Sequence, residues 1–423
     1  MPRAAHAQWQ PAPDRPDPVQ TLIDQGRDRI AALLPLRYAR MRTDPFAFFR
    51  GAAAVMAADL ASQPDSGLRL QACGDCHLAN FGGYASPEGT PVFDLNDFDE
   101  TLPAPFEWDA KRLAASLAVA GGVAGLGDGA CRKLARRAMR AYRSHMAALA
   151  ALSPLAAWNS RIDLAAAIAD IDEKKLRRRL QARLAAAMEG AQTHFGLVSH
   201  EAGAWRIRDK PPLVHHVDAH ALDARHAFAS YAETLQEDRR VLLARHRLAD
   251  IAFKVVGVGS VGTFCAIGLF VAADGTPLLL QIKQAQPSVL APFAGASAYR
   301  NQGQRVVVGQ RMMQAATDLF LGWTAAEPDG RHFYVRRLKD SRLADIGAMI
   351  EAALPFYATL CGRTLARAHA RAGDAAAIAA YLGRGDAFDE AIADFAMAYA
   401  GQTARDWRAF NAAIAEGRIS ATT

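Results

Sequence analysis

Residues 251–285 (IAFKVVGVGSVGTFCAIGLFVAADGTPLLLQIKQA) crowd Val, Ile, Phe and Gly together in a 423-residue chain that is otherwise rich in Ala, Arg and Leu. A run of this kind reads as three consecutive strands, with Ala273-Asp274-Gly275 as a hairpin turn. Short turns force neighbouring strands to pair antiparallel. Amphipathic helical sequence flanks the run on both sides. The expected fold class is therefore α+β, with a small antiparallel sheet beside a mainly helical remainder.

Helical periodicity runs through 19–42 and 44–62, where Asp44 and Pro45 form an N-cap and first-turn pair. It returns at 107–123, 128–152, 163–195 and 219–249. After the strands, the pattern predicts a helix over 301–317, strands at 318–324 and 332–338, and helix from 345 onward. The chain divides into a loose tail (1–18), a helical part carrying acidic motifs (19–155), a helical insert (156–250), the strand-rich part (251–340) and a helical remainder (341–423). The basic run KKLRRRLQAR (174–183), with Arg177, Arg178, Arg179 and Arg183, reads as the solvated face of a helix.

Two features of the strand-rich part point to phosphate chemistry. Gly257, Gly259 and Gly262, with Ser260 between them, form G-x-G-x-x-G. A dinucleotide-binding loop would open a helix at this point. Here strand formers follow, so the motif fits a strand–turn–strand whose glycines let backbone N–H groups approach nucleotide phosphates. Lys283 then sits in an apolar strand, where an ammonium needs a partner or an anionic ligand. Alone, the loop also reads as a Gly-rich β-turn and the lysine as an edge-strand residue.

Residues 71–84, QACGDCHLANFGGY, carry a second motif. Asp75 and Asn80 have the spacing of a kinase catalytic loop, where the Asp handles the acceptor hydroxyl and the Asn holds a metal ion. The same letters spell C-x-x-C-H, the haem attachment motif. The first 18 residues have no apolar segment of the secretory type, which argues against haem attachment outside the cytoplasm. No second ligand pair supports zinc, and a turn-like stretch follows where a redox C-x-x-C opens a helix. A turn at 84–89 and the stretch VFDLNDFDE then supply Asp94, Asp97 and Asp99. Asp94, directly after the strand residues, is the first choice for a second metal ligand, with Asp97 beside it.

Composition bounds what remains. Hydrophobic residues make up 51% and charged residues 22%, as in folded globular chains. No run of 18 apolar residues predicts a membrane span. Five cysteines without framework spacing fit a reducing, cytoplasmic setting. A net charge of +6 suits an anionic ligand, and with the basic residues spread over amphipathic helices a nucleic-acid partner is the minor reading.

The order of these parts inverts that of kinases, in which the glycine loop and lysine precede the catalytic loop. A circular permutation accounts for this. LCGRTLARAHA (360–370) resembles the helix that precedes the catalytic loop in aminoglycoside- and choline-kinase-like enzymes. Glu107-Trp108-Asp109 resembles the helix whose buried Asp braces that loop. The stretches DPFAFFRGAAAVMAADLA, CGDCHLANFGGYASPEG, VFDLNDFDET, FEWDAKRLAAS, GVGSVGT and LARAHARAGD look like the bacterial family called domain of unknown function 2252, along almost the whole chain. The catalytic stretch is also similar to that of HipA-like kinases. The resemblance implies a two-lobed, protein-kinase-like fold in permuted order, with an ATP site. Asp75 would be the base, Asn80 with Asp94 or Asp97 would hold Mg²⁺, and Gly257, Gly259, Ser260, Gly262 and Lys283 would clamp the phosphates. The expected activity is phosphoryl transfer to a small-molecule or protein hydroxyl. Nucleotidyl transfer and a turnover-free nucleotide-binding scaffold stand as alternatives. One departure is plain: no Glu lies between Lys283 and Glu327 to pair with the lysine. Gln304, Gln310 and Asp318 are the candidates for that task.

Overall fold

The computed structural model describes residues 1–422 except 193–195, 202, 212, 217, 256, 258, 260, 325–329 and 339–352. The architecture is mixed α and β, with small antiparallel sheets. In chain order the strands are β1 (Arg69–Ala72), β2 (Phe81–Ala85), β3 (Pro91–Leu95), β4 (Leu102–Pro105), β5 (Val198–Glu201), β6 (Ala204–Ile207), β7 (Val214–His215), β8 (His246–Lys254), β9 (Cys265–Ala272), β10 (Pro277–Ala285), β11 (Gly322–Trp323) and β12 (His332–Arg337).

β8, β9 and β10 are the three strands expected from residues 251–285. They form the centre of a sheet ordered β11-β12-β10-β9-β8-β7. The period of two separates its faces. Ile251, Phe253, Phe270, Leu280 and Ile282 pack with Phe228 and Tyr231 of helix Asp218–Glu233. Ala252, Ile267, Leu269 and Leu279 pack with Leu197 and Ile207 of the β5–β6 hairpin on the other face. That hairpin and β7 differ from the all-helical insert expected over 156–250, and the helix expected over 219–249 gives way to β8 at His246. Their sequences (VSHE, AWRI, VH) are too short to show an alternating pattern, and they become strands by pairing. Leu176 and Leu180 are buried beneath the basic run, whose Arg178 and Arg179 are exposed as expected.

The helical body is built on Phe106–Val123, Asp128–Ala150, Leu354–Ala372 and Ala387–Ala415. Its core joins Phe106, Tyr142, Tyr357, Leu365 and Phe395 to the hairpins β1–β4 and β2–β3. Four short helices, Pro18–Gly26, Leu34–Met41, Pro45–Gly51 and Ala53–Ala61, pack Tyr38 and Phe48 on Phe410. Asp17 and Asp44 cap the first and third of them. The first 18 residues are not a loose tail. His6 is buried against Tyr381 and Phe388, Trp9 stacks edge-on to Tyr399, and Arg15 bridges Asp59 and Asp406. Among the described residues, no helix is long and apolar enough to cross a membrane.

A candidate active site between the sheet and the helical body

The loop after β1 is fixed by its backbone. Asp109, in the first turn of helix Phe106–Val123, accepts the N–H groups of Cys73 at 2.7 Å and Gly74 at 3.0 Å. His369 Nε2 lies 3.2 Å from the same carboxylate, and Tyr142 meets the other nitrogen of that ring. Asp109 thus has the bracing position expected of it. Gly74 has φ 85°, and a Cβ there would stand 2.2 Å from the Glu100 carbonyl oxygen, so only glycine fits. Further along, Ser116 Oγ accepts from Leu78 N, and Tyr357 donates toward the carbonyls of Leu78 and Phe81. Cys73 and Cys76 are free and buried, and burial holds the Cys76 thiol well above its usual value.

This framework presents Asp75 and Asn80 to a cleft that Asp97, Asp99, Glu100, Gly257 and Gly259 also line. Asp75 Oδ1 accepts from Arg112 Nε at 2.6 Å. Burial raises the Asp75 pKa, and the guanidinium works against that rise. The Asn80 amide donates to the backbone carbonyl of Asp75 at 2.6 Å, which leaves its oxygen for other ligands. His77 is held well below its usual value by burial and by Arg50 and Arg112, so it is neutral.

Asp94 does not reach the cleft. Its carboxylate is fully buried against Arg367 and accepts the N–H groups of Leu95 and Ala315. A carboxylate so engaged has a structural task, and Arg367 of the LARAHA stretch exists to meet it. The acidic residues that face the cleft come later, at Asp97 and Asp99. Lys283 Nζ lies 2.7 Å from Asp99 Oδ2 and 3.7 Å from Asp97 Oδ1, and Tyr334 donates to Asp99 Oδ1 at 2.6 Å. Burial disfavours the ammonium, but Asp97 and Asp99 outweigh it and hold Lys283 well above its usual pKa. Burial would likewise raise Asp99; Lys283 and Tyr334 reverse that and hold it low.

The partner of Lys283 is therefore Asp99, not a residue of helix Gln302–Met313. Gln310 donates to Gln314, Gln304 is held by its backbone to the Asn301 cap, and Asp318 accepts from the backbone of Phe320 and Arg337. Arg305 of that helix donates to the carbonyls of Asp99, Thr101 and Gln286.

The glycine loop meets the cleft through Gly257 (φ 40°) and Gly259, while Gly262 (φ 91°) packs close to Arg29. Ser260 lies outside the described residues. Arg29 Nη1 donates to the carbonyls of Gly259 at 2.9 Å and Val261 at 2.6 Å, and Arg40 Nη1 donates to Gly257 at 2.9 Å.

Sequence reasoning missed Glu100 and the three arginines Arg29, Arg37 and Arg50, all of which line the cleft. Burial pushes the Glu100 carboxyl up to about 7. The arginines sit on or beside short helices whose pattern reads as ordinary amphipathic surface, so no local signal marks them.

No group of three His, Cys, Asp or Glu side chains among the described residues is placed to hold a metal ion by itself. Mg²⁺ requires less, because it keeps waters and takes few protein ligands alongside substrate phosphates. Asn80 and Asp97, with oxygen donors on one cleft, fit that demand.

No curated protein matches the chain, and no solved structure does. Residues 29–413 match the family described as an uncharacterized protein conserved in bacteria. The match spans the arginines, the loop after β1, the sheet and the helices that brace them, and on that extent the chain belongs to the bacterial family DUF2252.

Proposed function

We propose that this chain is an ATP- and Mg²⁺-dependent phosphotransferase acting on a hydroxyl group, on a kinase-like fold whose segments follow in permuted order. One observation carries the reading. A single cleft gathers Asp75, Asn80, Asp97 and the glycine loop, and it includes the Asp99 carboxylate that holds Lys283. These groups lie in segments near residues 75–100 and 257–283, far apart in sequence. Their types are those needed to position phosphates and an attacking hydroxyl. The packing of helix Leu354–Ala372 beside β1 and β3, with His369 meeting Asp109, supports the permuted order.

In this reading the acceptor hydroxyl sits at Asp75. Its oxygen forms a bond to the γ-phosphorus of ATP, the bond from that phosphorus to the β–γ bridging oxygen breaks, and ADP leaves. The hydroxyl proton passes to the Asp75 carboxylate, while Arg112 keeps that side chain in place through its other oxygen. Asn80 and Asp97 would hold Mg²⁺, which neutralises phosphate charge when bound. The backbone of Gly257 and Gly259 would hold the phosphates, and Lys283, which is buried and does not itself line the cleft, would act through the Asp99 carboxylate that it holds.

Calorimetric titration with ATP, in the presence and absence of Mg²⁺, tests the reading. Wild-type protein should bind Mg²⁺·ATP in the micromolar-to-millimolar range, about 4–8 kcal/mol. Asp97→Ala and Lys283→Ala should each weaken it. An absence of binding at millimolar ATP would sink the proposal.

A further inference from the structure

Beside its carboxylates the cleft is lined by three arginines, Arg29, Arg37 and Arg50. Arg37 is fully buried in helix Leu34–Met41 and still lines the cleft. Its Nη2 donates to Gln25 Oε1 at 3.1 Å and to the Gly51 carbonyl at 2.8 Å, both neutral acceptors. Its Nε and Nη1 are buried and have no hydrogen-bond partner among the described residues. Arg29, also on the cleft, adds a second positive charge close by, and its Nε likewise has no partner among the described residues. Burial, reinforced by the Arg29 charge, pulls the Arg37 guanidinium down to about 9. A buried cation with idle donors, beside a like charge, is costly unless an anion completes it. Guanidinium groups are the side chains best matched to phosphate oxygens, and a dianion offsets two of them at once.

The third member locates the group. Arg50 lines the same cleft, and its charge is felt at both Asp75 and His77. The arginines therefore adjoin the carboxylate that receives the acceptor hydroxyl. In the phosphotransferase reading the donor's phosphates fall to the glycine loop and to the Mg²⁺ that Asn80 and Asp97 would hold.

We propose that Arg37, with Arg29 and Arg50, forms a subsite for a phosphate-type anion carried by the acceptor, so that the substrate is a phosphorylated hydroxyl compound. The acceptor assignment rests on the phosphotransferase reading, whereas the anion subsite rests on the arginines themselves.

The test is a calorimetric titration of inorganic phosphate into the full chain, alone and in the presence of Mg²⁺ with a saturating non-hydrolysable ATP analogue. Wild-type protein should bind phosphate under both conditions. Arg37→Gln and Arg50→Gln should each weaken it about tenfold or more. Arg50 is partly open to solvent, so Arg50→Gln gives a result even if the buried Arg37 variant fails to fold. No phosphate binding at tens of millimolar, or equal affinity in wild type and both variants, overturns the subsite. Displacement of phosphate by the nucleotide analogue overturns the acceptor assignment, because the arginines would then serve the donor. Mg²⁺·ATP binding without phosphate binding removes the subsite alone. Phosphate binding without any Mg²⁺·ATP binding removes the phosphotransferase reading and leaves an anion site.

Discussion

Lys283, buried, and Asp99, half-buried at the cleft, form an ion pair, 2.7 Å between Nζ and Oδ2, that ties the third strand of the sheet to the acidic segment after the β2–β3 hairpin. The pair joins two segments 184 residues apart, and Tyr334 on the neighbouring strand fixes its carboxylate. A helix glutamate is thereby unnecessary for placing the lysine.

The pair should behave as one unit. Asp99→Asn and Lys283→Met should each reduce Mg²⁺·ATP affinity about tenfold or more, and the double variant should lose much less than the sum of the two. A double-mutant cycle by calorimetry checks this; additive losses would show that the residues act separately.

Asp94 and Asp97 should separate stability from activity. Asp94→Ala leaves Arg367 buried without its carboxylate, a loss of about 3–5 kcal/mol in chemical denaturation. Asp97→Ala touches a cleft residue, so its denaturation midpoint should stay near wild type while Mg²⁺-dependent turnover collapses. The reverse pattern would restore Asp94 as the metal ligand.

Asp75→Asn keeps the size of the side chain and removes the proton acceptor. Transfer to an acceptor hydroxyl should slow about 10²–10⁴-fold in kcat, the range expected for loss of a general base. Nucleotide affinity should change little, because Asp75 faces the acceptor. Unchanged kcat in steady-state assays would rule the base role out.

The outline of the fold was legible where side-chain patterning is strong. β8, β9, β10 and their Asp274-Gly275 turn follow from β-branched residues and a turn pair, and helix Gln302–Met313 lies within the stretch expected for it. β5, β6 and β7 were not legible, since a stretch such as VSHE is too short to show an alternating pattern and becomes a strand by pairing. In the site, Asp75 and Asn80 were recognisable because their spacing is local. Asp94 was misjudged because a strand-end Asp looks the same whether its carboxylate turns toward a cleft or toward Arg367. Arg37 gave no signal at all: its burial depends on Gly51, Gln25 and the packing of three helices.

Glu100 makes stability depend on pH. Its carboxyl is raised from the ordinary 4.5 to about 7 in the fold. The folded state thus holds the proton more tightly than the unfolded chain does. This contribution is fully present below about pH 4.5 and is lost as pH rises through about 7. Denaturation midpoints across this window should show a downward slope that Glu100→Gln flattens. An unaltered slope in that variant would assign the titration to another group.

Gly74→Ala should be among the most damaging single-methyl changes in the chain. It combines a left-handed backbone with a collision against the Glu100 carbonyl, at a cost on the order of 1–3 kcal/mol for the conformation alone. Thermal unfolding would read the loss, and full stability would mean that the loop can be rebuilt without Asp109.

Arg29 and Arg40 grip the glycine loop by three carbonyl oxygens, at Gly257, Gly259 and Val261, from the side of the helical body. The loop cannot lift from the cleft unless those bonds release. Any outward movement of Gly257, Gly259 and Val261 is thereby coupled to the release of two arginines. Loss of Arg40 should therefore loosen this stretch of backbone and speed its exchange of amide hydrogens, while the cleft side chains that line it keep their places.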